Sequence, residues 1–140
     1  MGIFCYNIWM KKYSLLYTAL GLIAILAFLH LIALEFYFYW TLWWYDIMMH
    51  TLAGLSGGLA ALWFLNTTNS VRALLLALLS VMIFGITYEV FEYIYDIISP
   101  GSYWQDTILD LICDGLGAIL ASMYVMSGQI REYFSGSQGN

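Results

Sequence analysis

The chain has 140 residues, of which 63% are hydrophobic and 9% charged, with a net charge of −5 and a mean hydropathy of +0.80. Soluble domains carry about 25% charged residues, so this composition excludes an ordinary soluble fold and points to one small integral membrane domain. The four Lys/Arg residues are scattered rather than clustered, which excludes a nucleic-acid surface.

Residues 1–13, with Trp9, Lys11, Lys12 and Tyr13, read as a short amphipathic lead-in at the membrane surface. The first span is expected from about Ser14 to Leu34, long enough to cross ~30 Å of hydrocarbon. It is too long for a signal-peptide core and has no small-x-small cleavage site. Glu35 opens an aromatic block, Phe36-Tyr37-Phe38-Tyr39-Trp40, followed by Trp43-Trp44-Tyr45; such blocks sit at headgroup depth. The second span runs from about Asp46 to Leu65. Asn66-Thr67-Thr68-Asn69-Ser70 is the clearest loop. A third span follows from about Val71 to Ile98, ended by the helix-breaking Ser99-Pro100-Gly101. The fourth runs from about Trp104 to Met126, and residues 127–140 read as a polar, flexible tail. The predicted fold is all-α: a four-transmembrane-helix bundle over residues 14–126. Cys5 precedes the first span and Cys113 lies in the last, so no disulfide is expected.

Lys11, Lys12, Arg72 and Arg131 all fall on one side of a four-span chain. The positive-inside rule makes that side cytoplasmic, with both termini inside and the protein in a cytoplasmic (inner) membrane. Every acidic residue except Glu132 then lies in or near the outer half. Helical spacing sorts these residues into stripes. Asp46 and His50 are four apart, and Gly54 lies on the same face. Gly85, Glu89, Glu92 and Asp96 form a second stripe, and Asp106, Asp110 and Asp114 a third. Counting from a turn near Gly101 at ~1.5 Å per residue, Asp96 is expected level with Asp106, Glu92 with Asp110, and Glu89 close to Asp114. Asp46 and His50 enter at similar depth, and His30 could join them.

Six carboxylates between residues 88 and 114, with no Lys or Arg in the same half of the bundle, cannot all stay ionised in a low dielectric. Either some are protonated or a cation sits among them. Histidine with several carboxylates suits a divalent ion such as Mg, Ca, Mn, Fe or Zn. Asp46, His50, Glu89, Glu92, Asp106, Asp110 and Asp114 are the candidate ligands, with Glu89 and Glu92 also candidates for catalysis. Asp46, Asp96 and Asp106 read equally well as solvated residues at helix ends. The glycines at 54, 57, 58, 85, 115 and 117 read as close helix-packing positions.

The motifs Tyr45-Asp46-x-x-x-His50-x-x-x-Gly54, Tyr88-Glu89-x-x-Glu92 and Asp106-Thr107-x-x-Asp110-x-x-x-Asp114-x-x-Gly117-Ala118, in this order, resemble the YjdF inner-membrane protein family and the broader VanZ-like superfamily. The resemblance covers about residues 45–120 and implies a polytopic helical membrane fold. It also implies that the seven acidic and histidine positions named above are functional.

The expected function is an outward-facing carboxylate/histidine site that binds a divalent metal and binds or acts on a lipid-linked or amphiphilic substrate. Two alternatives use the same residues differently: a cation or proton transporter, and a non-catalytic subunit with protein partners in a larger membrane complex. No nucleophile triad, phosphate-binding glycine loop or nucleotide fingerprint occurs.

Overall fold

Long apolar runs separated by short polar breaks dictate long helices, since a helix satisfies all its backbone groups internally where water is absent. The computed structural model describes residues 2–65, 70–95 and 103–136, with side chains over 13–65, 70–95 and 104–127. It contains α1 (Gly2–Glu35), α2 (Phe38–Thr41), α3 (Trp43–Leu65), α4 (Ser70–Ile94) and α5 (Tyr103–Gly136). Four stretches are long and apolar enough to cross a membrane: Tyr13–Glu35, Trp43–Leu65, Ser70–Ile94 and Trp104–Ser127. The expected all-α, four-span bundle is the fold that forms. α1 and α5 run as continuous helices through the expected boundaries of lead-in and tail.

α3 is the centre of the bundle. It packs on α1, α4 and α5, while α4 also packs on α5. α1 leans on α3 and α2 alone: among the described residues, none of its Cα atoms comes within 8 Å of one in α4 or α5. The core is built largely from small residues, Ala19, Ala73, Ala77, Ala118 and Ala121, joined by Leu59, Leu62 and Val81. Large side chains such as Phe28, Leu31, Phe64, Leu79, Phe84 and Ile112 point outward. Lipid tails are as apolar as leucine, so association inside a bilayer depends on close van der Waals approach of small residues.

That approach is tightest between α3 and α5. A Cβ at Gly54 would overlap the backbone of Asp114, and one at Gly117 would overlap the backbone of Thr51 and Leu55. One turn further along, a Cβ at Gly58 would stand 2.8 Å from that of Ala121. The packing role expected of these glycines holds here, and α3 and α5 are locked in register. Gly57 and Gly115 are looser, meeting only the ends of Val81 and Met82 at 3.7 Å.

The α4–α5 pairing differs from the expected register. α4 ends at Ile94 rather than near Ile98, so the midpoint between Ile94 and Tyr103 falls at about residue 98–99 instead of Gly101. Gly85, not Glu89, therefore faces Asp114: a Cβ at Gly85 would come 2.6 Å from Asp114 Oδ2. Glu89 meets Thr107 instead. The expected rungs are displaced by one to two helical turns, because the described part of α4 ends earlier than the sequence suggested. Asp96 and the Ser99-Pro100-Gly101 turn lie outside the described residues.

Between α1 and α3 the aromatic block reverses the chain. Tyr37 takes a left-handed conformation (φ 58°), and its carbonyl accepts the amides of Trp40 and Thr41 at 3.1 Å each. The Tyr45 hydroxyl donates to the Leu29 carbonyl at 3.0 Å, fastening the start of α3 to α1. Tyr39 is thereby carried over the end of the bundle where the acidic stripes converge.

Gly54→Ala and Gly117→Ala should each lower stability by ~1–3 kcal/mol or more, the range for overpacking against atoms that cannot retreat. Gly115→Ala should be near neutral. Thermal unfolding of the purified protein in detergent separates the two classes.

Candidate functional site

The locked glycine crossing sets the site one turn away. His50 is four residues before Gly54, and Asp114 is the residue whose backbone Gly54 touches, so His50 is delivered onto the acidic face of α5. His50 Nδ1 lies 3.4 Å from Asp114 Oδ1. Its Nε2 lies 3.7 Å from Asp46 Oδ1 and 3.8 Å from Asp110 Oδ1. One ligand atom from each of Asp46, His50 and Asp110 lies within 4.8 Å of the others. Asp110 and Asp114 are buried, and Asp46 is half-buried.

The two ring nitrogens of His50 have different surroundings. An ionised Asp114 could only accept, and a neutral His50 ring facing it at 3.4 Å would carry its proton on Nδ1. In the neutral imidazole, Nε2 is then a lone pair aimed between Asp46 and Asp110. A carboxylate holding the far nitrogen while the near one points at other acidic oxygens is the usual arrangement around a metal-ligating histidine.

The remaining expected residues take up separate positions. Glu89 is 4% exposed; its Oε2 accepts from the Thr107 hydroxyl at 2.6 Å, while Oε1 is buried with no hydrogen-bond partner among the described residues. Glu92 is half-buried and lies within electrostatic reach of Tyr88, Asp46 and His50. Glu89 is within electrostatic reach of both Glu92 and Asp110. Asp106 is exposed, within reach of Asp46 and Asp110. The structure thus gathers Asp46, His50, Asp110 and Asp114 into one contact group, with Glu89, Glu92 and Asp106 around it.

His30 does not join the group. Its Nδ1 shares a 2.7 Å hydrogen bond with the Tyr39 hydroxyl, and Tyr39 stands within reach of Asp46 and Glu92. Burial, and next the negative charge of Asp46, push the Tyr39 hydroxyl above the ordinary tyrosine range, so it keeps its proton and can donate. Tyr39 is a site residue that sequence reasoning missed, because nothing separates it from its aromatic neighbours in the chain. Thr107 was missed as a partner although a signal existed: it lies three residues before Asp110 and seven before Asp114, on their helical face.

Residues 2–130 match a family described as predicted membrane protein (DUF2238). The chain belongs to that family. It is the YjdF-like family that the three motifs resemble. Neither a curated protein nor a solved structure matches the chain significantly. For this DUF2238 member, the buried Glu89–Thr107 pair and the His50 group are therefore read from their geometry alone.

Removing the Thr107 hydroxyl leaves both oxygens of a buried carboxylate without a partner. Thr107→Val should destabilise the protein by ~1–3 kcal/mol, and the double variant with Glu89→Gln should recover part of that loss. A double-mutant cycle on thermal unfolding measures the coupling; additive effects would contradict it.

Proposed function

We propose that this protein holds a divalent cation through Asp46, His50 and Asp110, and uses that site to bind or transform a lipid-linked or amphiphilic molecule at the membrane surface. The observation that carries the reading is the convergence of the His50 ring and two carboxylates, with Asp114 3.4 Å from the other ring nitrogen.

The residues fit such an ion. Two ligands each ~2.1–2.4 Å from one ion can be at most ~4–5 Å apart, which the three donor atoms satisfy. Imidazole with carboxylates suits Mg, Ca, Mn, Fe or Zn, with the borderline ions favoured by the nitrogen. A cation also answers the charge problem, since Lys11, Lys12, Arg72 and Arg131 all lie toward the opposite ends of their helices. When bound, such an ion supplies polarisation of a phosphoryl or acyl oxygen, or an activated water. Glu89 and Glu92 are the acceptors placed to take a proton from a reacting group. Asp106, exposed at the start of α5, serves the approach of a cation more than its final coordination.

A one-sided site is favoured over a through-membrane path. Toward the other end of the bundle, the buried hydroxyls of Ser56 and Ser122 are turned onto the carbonyls of Ala53 and Ala118 in their own helices, 3.1 and 3.0 Å away. The surrounding core there is alanine and leucine. On the positive-inside rule, the site faces outward from a cytoplasmic membrane, with both termini inside. The order of the three motifs also supports a wider kinship with VanZ-like proteins.

Purified protein should bind about one Mn2+ or Zn2+ per chain, measured by metal analysis and by electron paramagnetic resonance of Mn2+. His50→Ala and Asp110→Asn should abolish binding. Asp114→Asn should weaken it by ~10–100-fold, the usual effect of disturbing a residue that orients a ligand. Unchanged binding in His50→Ala would sink the reading.

A further inference from the structure

Three of the four residues in the contact group owe their places to the glycine crossing, and the fourth does not. His50, Asp110 and Asp114 lie within one turn of the point where Gly54 meets Asp114. Asp46 stands eight residues before Gly54, ~12 Å away along α3 at ~1.5 Å per residue, in the first turn of that helix. Helix ends fray, and their free amides call for a cap. The residue before Trp43 is Leu42, whose side chain offers no acceptor to a helix start. Asp46 nonetheless keeps its Oδ1 3.7 Å from His50 Nε2.

What holds this turn comes from α1 and α2. Tyr45, the neighbour of Asp46, is 4% exposed, and its hydroxyl donates to the Leu29 carbonyl of α1 at 3.0 Å. Breaking that bond would strand a buried hydroxyl. The Tyr45 amide donates to the Leu42 carbonyl at 2.9 Å, and the Leu42 amide to that of Phe38 at 2.9 Å, so the turn is continuous with α2. The Tyr45 ring stands 5.4 Å from that of Phe38 and 5.5 Å from that of Tyr39, edge-on to the latter. Such pairs contribute beyond the area they bury. Tyr39 shares its 2.7 Å hydrogen bond with His30 of α1, the two ring centres lying 5.6 Å apart. Around these contacts lies a second small core, centred on Ala33, Tyr45 and Met49 and separate from the alanine-rich one.

We propose that Tyr45 and the His30–Tyr39 pair are positioning residues of the cation site: braced on α1, they hold the first turn of α3 and so keep Asp46 beside His50 and Asp110. The role in cation binding rests on reading that group as a cation site, while the brace stands on the contacts among α1, α2 and α3. A bound ion fixes its donors at ~2.0–2.6 Å, so a first turn that frays carries Asp46 out of range. α1 therefore contributes to cation affinity without supplying a donor atom.

Hydrogen exchange and Mn2+ titration of the full chain in maltoside micelles test this. Without metal, Tyr45→Phe and His30→Leu should each speed exchange of amides 45–49 by ~2–10-fold, the worth of one hydrogen bond. Amides around Gly54 should be unchanged. The same two variants should weaken Mn2+ binding by a similar factor. His30→Asn, whose amide can take the place of Nδ1 toward Tyr39, should return both readings toward wild type. Phe84→Ala, on the lipid-facing surface, should move neither. Exchange unchanged in both Tyr45→Phe and His30→Leu would overturn the proposal, as would loosening that spreads equally to Gly54. Faster exchange with Mn2+ affinity intact removes the positioning role and leaves the cation reading standing. If the wild-type chain binds no Mn2+, the cation reading falls, and local exchange alone decides the brace.

Discussion

The backbone-to-backbone approach of α3 and α5 at Gly54 and Gly117 is the constraint on which the rest of the structure depends. In a bilayer there is no hydrophobic force to press helices together, because the surrounding lipid is equally apolar. Contact has to be won by shape, and the absence of a side chain at both positions lets the helices come close enough for dispersion to act over many atoms. The crossing fixes register as well as distance. Once Gly54 sits on Asp114, His50 can only face the acidic side of α5.

A second consequence concerns rigidity. His50 is held between two helices that cannot slide, with Asp114 on one nitrogen and two further carboxylates near the other. Asp46 and His50 belong to one helix, Asp110 and Asp114 to another, so the group is assembled by the tightest crossing in the bundle. α1 is the opposite case. Among the described residues its Cα atoms approach within 8 Å only those of α3 and α2, and very little of its span is buried inside the bundle. What fastens it near the site is a pair of tyrosines, Tyr45 to the Leu29 carbonyl and Tyr39 to His30. The pocket is thus firmly built, and the helix beside it lightly attached.

The polar groups also divide by role. Where a buried hydroxyl has only its own helix carbonyl, as for Ser56 and Ser122, it is locally satisfied and chemically inert. Where an acid reaches another helix, as Glu89 does to Thr107, it ties two spans together, and its other oxygen has no partner among the described residues.

Composition and spacing alone determined that the chain is a four-span helical membrane protein, that its acids other than Glu132 lie at one end, and that Asp46 and His50 share a face with the packing glycine Gly54. These follow from periodicity and from the energetic penalty of ionised groups in lipid, both local properties that a sequence displays directly. Tertiary structure decided which acids meet. The expected rungs between α4 and α5 were wrong by one to two turns because helix ends are weakly encoded: nothing in the run Ile94-Tyr95-Asp96-Ile97-Ile98 marks the stop at Ile94. Each residue of error at a turn moves the opposite stripe by a full residue, so Glu89 met Thr107 and left Asp114 to Gly85 and His50. Tyr39 was invisible for a related reason. Its place over the site comes from a left-handed residue at Tyr37, a backbone choice that tyrosine seldom makes and that only the packed bundle enforces.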